Sequence, residues 1–177
     1  MKNIKHIIAL FLTSVVILGG CQKDDNPLAN GFTYGETFYA AETFGVYLLP
    51  ENNTYEIAVS ISTGNWNFTT EQHDGYPFSF VLLHMIPYVD NDNLLGVGEY
   101  AYSATSLSEG TIYGGTDSFY LNIDSNSQWE VSSNITGGSL TVRKDGEFYV
   151  LDYELSLANG ETIVGYYRGV LDYIYQD

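Results

Sequence analysis

Ser139-Leu140-Thr141-Val142-Arg143-Lys144-Asp145-Gly146-Glu147-Phe148-Tyr149-Val150-Leu151-Asp152-Tyr153-Glu154-Leu155-Ser156-Leu157, followed by Ala158-Asn159-Gly160 and Thr162 to Tyr175, is the best-specified part of the chain. It reads as three strands, Ser139 to Lys144, Glu147 to Leu157 and Thr162 to Tyr175. Asp-Gly and Asn-Gly, the preferred centres of two-residue I′ turns, separate them. The expectation is an antiparallel meander. A two-residue turn at Asp145-Gly146 sets Val142 opposite Tyr149, Leu140 opposite Leu151 and Lys144 opposite Glu147. Apolar then meets apolar, and opposite charges meet beside the turn. At Asn159-Gly160 two registers compete. A two-residue turn sets Leu155 opposite Val164 and Tyr153 opposite Tyr166; a three-residue loop, Ala158-Asn159-Gly160, with a bulge sets Leu155 opposite Ile163 and Tyr153 opposite Gly165. The Asn-Gly pair favours the first.

Upstream, strand signals continue. Thr54 to Ser62 alternates, with Tyr55, Ile57, Val59 and Ile61 on one face and Glu56, Ala58, Ser60 and Ser62 on the other, as in a half-buried antiparallel strand. Phe78 to Ile86 is apolar on both faces, so it is either central or lines a cavity. Further strands are expected at Phe32 to Tyr34 and Thr37 to Ala41 around Gly35-Glu36, at Thr43 to Leu49, at Gly98 to Tyr102, at Thr111 to Tyr113 and at Phe119 to Ile123. Gly64 to Gly75, Ser103 to Ser118 and the stretch up to Trp129 read as mostly loop, and Thr136-Gly137-Gly138 as a turn signal. With 16 Tyr and 18 Gly, and no long apolar stripe of helical period after residue 30, the domain reads as all-β, a single antiparallel β-barrel of about 8–10 strands with a β-sandwich as the alternative. A strand-like C-terminus, Val170 to Tyr175, and an aromatic opening, Phe32 to Ala41, each need a partner. Pairing the two closes the barrel, with Gly165 and Gly169 supplying the bend. The loops at the end away from residue 21 would then face outward.

The first twenty residues read as an export signal. Lys2 and Lys5 precede an uncharged apolar run, Ile7 to Leu18, too short to span a bilayer. The run ends in Leu18-Gly19-Gly20-Cys21, which resembles the lipobox of bacterial lipoproteins. The resemblance implies cleavage before Cys21, lipidation of its thiol, and anchoring by acyl chains that each contribute about 0.8 kcal/mol per buried CH₂. Gln22-Lys23-Asp24-Asp25-Asn26 is similar to the tag that sends lipoproteins of the Bacteroidota to the outer face of the outer membrane, except that Asn26 stands where an acid is common. The division expected is therefore signal peptide 1–20, lipidated Cys and tether 21–30, and one all-β domain 31–177, on the exterior of the cell outer membrane.

The mature chain keeps four of six basic residues and all 22 acids; four cations against 22 acids leaves −18. That charge opposes nucleic-acid binding, which needs cations against phosphates. Cys21 is the only cysteine, so no intrachain disulfide forms. No frame for a nucleophile, metal or cofactor emerges. His73-Asp74 reads as a turn, and His84 as a hydrogen-bonded core histidine. Asp90-Asn91-Asp92-Asn93 begins like a calcium loop but has Leu94 at the next ligand position. Arg168 reads as the partner of a cross-strand acid. Aromatics in or beside loops, Trp66, Phe68, Tyr88, Tyr113 and Trp129, are the candidate ligand contacts, since such rings stack on sugars; they also suit the ends of a core.

Thr136-Gly137-Gly138, Asp145-Gly146, Asn159-Gly160 and Gly165-Tyr166-Tyr167-Arg168-Gly169, with Phe32-Thr33-Tyr34-Gly35-Glu36 and Gly98-Glu99-Tyr100, resemble small lipoproteins of the Bacteroidota. Among these, calycin-like β-barrel domains occur, and most have no assigned activity. The resemblance implies a calycin-like barrel and carries no functional residue across. The expected function is a non-catalytic surface lipoprotein binding a ligand or partner, glycan among the candidates. The alternative is a lipocalin-like carrier of a small hydrophobic ligand inside the barrel.

Overall fold

The computed structural model describes residues 28–49, 56–67, 72–88 and 95–174; at 48, 49, 66, 67, 72, 129 and 172–174 the backbone alone is considered. The signal segment, Cys21, Gln22, Lys23, Asp24 and Asp25, Phe68 and the cluster Asp90 to Asn93 lie outside the described residues.

The described chain is all-β. Its strands are β1 (Gly31–Tyr34), β2 (Thr37–Ala40), β3 (Thr43–Leu49), β4 (Glu56–Ser62), β5 (Trp66–Asn67), β6 (Gln72–His73), β7 (Phe78–Ile86), β8 (Gly98–Ser103), β9 (Thr111–Tyr113), β10 (Phe119–Ile123), β11 (Trp129–Asp145), β12 (Phe148–Leu157), β13 (Thr162–Gly169) and β14 (Asp172–Ile174). The fourteen exceed the 8–10 expected because several are pieces of two to four residues. β7, β9, β8, β11 and β10 form a closed ring, a five-stranded barrel. From it one wing runs β4, β3, β14 and the other β12, β13, β1, β2. All pairings are antiparallel except β8 with β9 and β14 with β3. The architecture fits the calycin-like barrel expected.

Burial explains the apolar double face of β7. Val81, Leu83 and Met85 enter the main core, while Phe78 and Phe80 form a second cluster with Leu121 and Ile123 of β10. The strand is central. The main core is filled by Phe32, Phe44, Tyr100, Tyr120, Leu140 and Leu151, each at most 1% exposed. β4 departs from the half-buried alternation, because Ala58, Ser60 and Ser62 are also at most 4% exposed. They are small, and stand between large neighbours: Tyr47 across from Ala58, and Leu82 and Phe80 across from Ser60 and Ser62.

Four expectations are corrected. The first hairpin turns on Gly146-Glu147, so Val142 faces Leu151, Leu140 faces Tyr153, Lys144 faces Tyr149 and Asp145 faces Phe148. Of the two turn residues only Gly146 has positive φ, +62°, which is the II′ form with glycine first. The β1–β2 turn at Gly35-Glu36 repeats it, with Gly35 at +59°. A slip of two residues keeps every side chain on its face, so the inside–outside pattern holds although the partners change. The freed Asp145 receives Arg168 at 2.8 Å, and Arg168 lies over the Phe148 ring at 4.2 Å.

At the second hairpin the three-residue loop wins: Leu155 faces Ile163 and Tyr153 faces Gly165. Gly160 donates to Leu157 at 3.0 Å and sits at φ +89°, a turn followed by a left-handed glycine, the three-residue alternative to I′. This register places the Tyr153 ring over Gly165, where any side chain would collide with it.

The third correction concerns β11, which runs unbroken for 17 residues from Trp129. Thr136-Gly137-Gly138 is not a turn; the register shifts there, between Ile135 and Gly137. The bulge bends one strand so that its first part pairs β10 and its later part β8.

The fourth concerns closure. Residues 172–174 pair in parallel with Gly45–Tyr47, not with residues 32–41. The opening strand β1 instead pairs β13, Gly31 with Tyr166 through Tyr34 with Ile163. The last strand breaks after Gly169, Leu171 turns into the core, and the chain moves across to the free edge of β3. Phe44 stacks on Tyr167 at 5.0 Å across that seam. The expectation that loops opposite the anchor form the binding surface rested on the other closure and loses its basis. At the entrance to the domain the Asn30 side chain clamps the Arg168 backbone, accepting from its N–H at 2.7 Å and donating to its carbonyl at 3.1 Å.

Tyr120 is fully buried, and its hydroxyl lies near Ser79 and Tyr39 but meets neither in hydrogen-bond geometry. Burial pushes its pKa upward. Tyr120→Phe removes that hydroxyl while keeping the ring that packs on Phe32 and Tyr34. The expected result is a gain of about 1 kcal/mol in urea unfolding, the desolvation cost of an unpaired group. A loss of stability would show that the hydroxyl is satisfied.

Candidate functional site

The alternation of β11, β12 and β13 sends Ser139 and Thr141, Asp152 and Glu154, and Val164 and Tyr166 to the outer face. The rows across the sheet are Ser139–Glu154–Val164 and Thr141–Asp152–Tyr166. β1 and β2 extend these rows with Gly31 and Phe38. Glycine is required at 31 because the Phe38 ring folds over it, filling the space of a side chain. Gly165 is bare above Tyr153 for the same reason. The outer face is concave between Phe38, Glu154, Val164 and Tyr166. Leu28 and Ala29 of the incoming chain form its remaining edge. The resulting open groove has a volume of about 510 Å³.

Its chemistry is mixed. Phe38 and Val164 are 51% and 54% exposed, and Leu28 is 65% exposed. Tyr166 is half-buried. Ser139 and Thr141 supply hydroxyls. Asp152 is held by Arg143 in an ion pair. Glu154 is exposed and has no ion pair or hydrogen bond among the described residues. The groove thus offers apolar faces, hydroxyls and one unneutralised carboxylate on a rigid sheet.

The aromatics expected from loops do not gather. Tyr113 sets its ring edge on His84, with 5.6 Å between centroids. Tyr88 packs on Tyr100 at 5.1 Å and donates to the Glu99 carbonyl at 2.8 Å. Tyr100 in turn donates to the Gly96 carbonyl at 2.7 Å and is pushed up to about 12 by burial. These rings close one end of β7. Trp129 pairs with Ile123 beside Phe78, and Trp66 pairs with His73, whose ring stacks on Phe78 at 4.6 Å. Both are therefore at the other end of β7, roughly 26 Å away at about 3.3 Å per residue.

The remaining candidates are engaged in structural contacts. His84 meets Glu56 at 2.8 Å with both side chains mostly covered. Asp74 accepts from the Asn65 side chain at 2.7 Å and backbone at 3.1 Å, and these bonds hold its carboxyl below the usual range. Arg168 pairs with Asp145. Among the described residues no three His, Cys, Asp or Glu side chains converge as metal ligands. The groove was missed because its residues lie in strands, where polar outward positions read as ordinary solvent face. One signal was present: the outer side of β13, otherwise Thr162 and Arg168, carries Val164 and Tyr166.

Compared with models of protein families, with curated proteins and with solved structures, the chain matches none.

Proposed function

We propose that this chain is a lipid-anchored lipoprotein of the outer-membrane exterior, whose barrel is a non-catalytic module binding a ligand, glycan among the candidates, in the groove on its outer sheet face. The observation that carries the binding reading is the groove itself: aromatic faces, hydroxyls and a carboxylate held together on one rigid surface. Such faces suit the C–H side of a sugar ring, and the oxygens suit its hydroxyls. The non-catalytic reading is supported by the occupations of His73, His84 and Asp74. The carrier alternative, a hydrophobic ligand inside the barrel, draws no support from a core filled by Tyr100, Tyr120, Phe32 and Phe44.

The anchor reading rests on Leu18-Gly19-Gly20-Cys21 and on Lys23-Asp24-Asp25. Cys21→Ala abolishes labelling with palmitate and releases the protein from the detergent phase. Alanine at Lys23, Asp24 and Asp25 leaves the label but lowers protease access on intact cells. A Cys21→Ala variant that still labels and stays membrane-bound would contradict the anchor. Unchanged protease access in the triple variant would contradict the exterior location alone.

A further inference from the structure

The charge of the groove narrows its ligand further, given that the groove is the binding site. Glu154 stands between Ser139 and Val164 on the outer face, exposed, without a counter-ion among the described residues. Asp152, two residues earlier, is neutralised by Arg143. The chain as a whole carries −16. An anionic ligand is repelled here, and a neutral one leaves Glu154 without a charged partner. A divalent cation needs six to eight oxygens, and no three acidic or imidazole side chains converge among the described residues. A single ammonium group fits: one carboxylate, with neighbouring hydroxyls to take its remaining protons. The rest of the ligand meets Phe38 and Tyr166, whose faces attract both C–H groups and cations, and the Ser139 and Thr141 hydroxyls. A flexible basic peptide would use the carboxylate and leave the hydroxyls idle; a ring with several hydroxyls and one amine uses all of them. We propose that the groove binds a saccharide bearing a free primary ammonium group, with Glu154 as its counter-ion and Phe38 and Tyr166 against the sugar face.

The test is calorimetric titration of the full chain in detergent, at low salt and mildly acidic pH where the amine is protonated. The probes are a glucosamine trimer, its fully N-acetylated counterpart, and trilysine. The expected result is about tenfold tighter binding of the glucosamine trimer than of the acetylated one, the size of one charge-assisted hydrogen bond. Glu154→Gln removes that preference, and Phe38→Ala weakens both trimers. Both residues are exposed, so both variants fold, as an unchanged thermal transition verifies. Equal or tighter binding of the acetylated trimer, or a preference that survives Glu154→Gln, overturns the ammonium inference; if Phe38→Ala still weakens binding, the groove stands. Trilysine binding as tightly, with the same dependence on Glu154, overturns the saccharide in favour of a basic peptide. Absence of trimer binding overturns the inference as well, and trimer binding indifferent to Phe38→Ala and Tyr166→Ala overturns the groove itself.

Discussion

Tyr153→Ala lowers the free energy of unfolding by about 3–5 kcal/mol, the range for deleting a large aromatic from a core. The residue is 4% exposed, and burial raises its phenol pKa. Its ring fills the space above Gly165, and its hydroxyl reaches the Gly31 carbonyl at 3.5 Å, so one side chain on β12 ties down β13 and β1. Those strands hold the floor of the groove. Gly165 opposite has no side chain to refill the space, so the site collapses only partly and the cavity cost persists. Tyr153→Phe is the control. The hydroxyl contact is at the outer limit of a hydrogen bond, so phenylalanine retains most of the stability. Urea unfolding measures both variants. A loss under about 1 kcal/mol for alanine would mean that the ring does not join these strands.

Gly138→Ala is the second large effect. Gly138 has φ +106°, and a Cβ there would strike the Glu154 carbonyl and the Leu155 backbone. The left-handed conformation costs about 1–2 kcal/mol and the overpacking about 1–3 kcal/mol, so a loss of about 2–5 kcal/mol is expected. Gly137→Ala is the contrast. Its Cβ would lie 3.4 Å from the Ser156 side chain, ordinary contact, and its φ is not positive. Its effect should lie between neutral and a gain of about 1 kcal/mol, since alanine restricts only the unfolded chain. Equal losses at 137 and 138 would show that the bend of β11 is not made at Gly138.

These two positions mark where reading the chain succeeded and where it stopped. The alternation of apolar residues was legible, because the period of a strand decides which side chain goes inward irrespective of its partner. Phe78 to Ile86 and Thr111 to Tyr113 fall where their residues place them. Register was not legible from turn dipeptides. Asp145-Gly146 admits glycine as the second central residue of a I′ turn or as the first of a II′ turn, and both keep the same inward face. In the observed register Asp145 faces Phe148 and receives Arg168 from two strands away, a contact that the dipeptide does not record. Gly137-Gly138 looks the same as a bulge or as a turn, because either uses a positive φ; the difference lies in whether β10 and β8 are both present to be paired. Closure followed β3, whose edge in the wing needed a cover that local sequence does not record. The groove was illegible for a similar reason. Phe38 and Glu154 are 116 positions apart in the chain, and only the pairing of Phe38 with Thr33, Thr33 with Val164 and Val164 with Glu154 sets them in one row.

If the groove is the site, ligand binds on the outside of the barrel wall and not within it. Amide shift mapping of the full chain in detergent, titrated with the glucosamine trimer, tests it most directly. The predicted result is a perturbed patch at Phe38, Ser139, Thr141, Glu154, Val164 and Tyr166, with Val59, Leu83 and Met85 of the core unmoved. Shifts centred on those core residues, or on Trp66 and Trp129 at the far end of β7, with the groove unchanged, would contradict it.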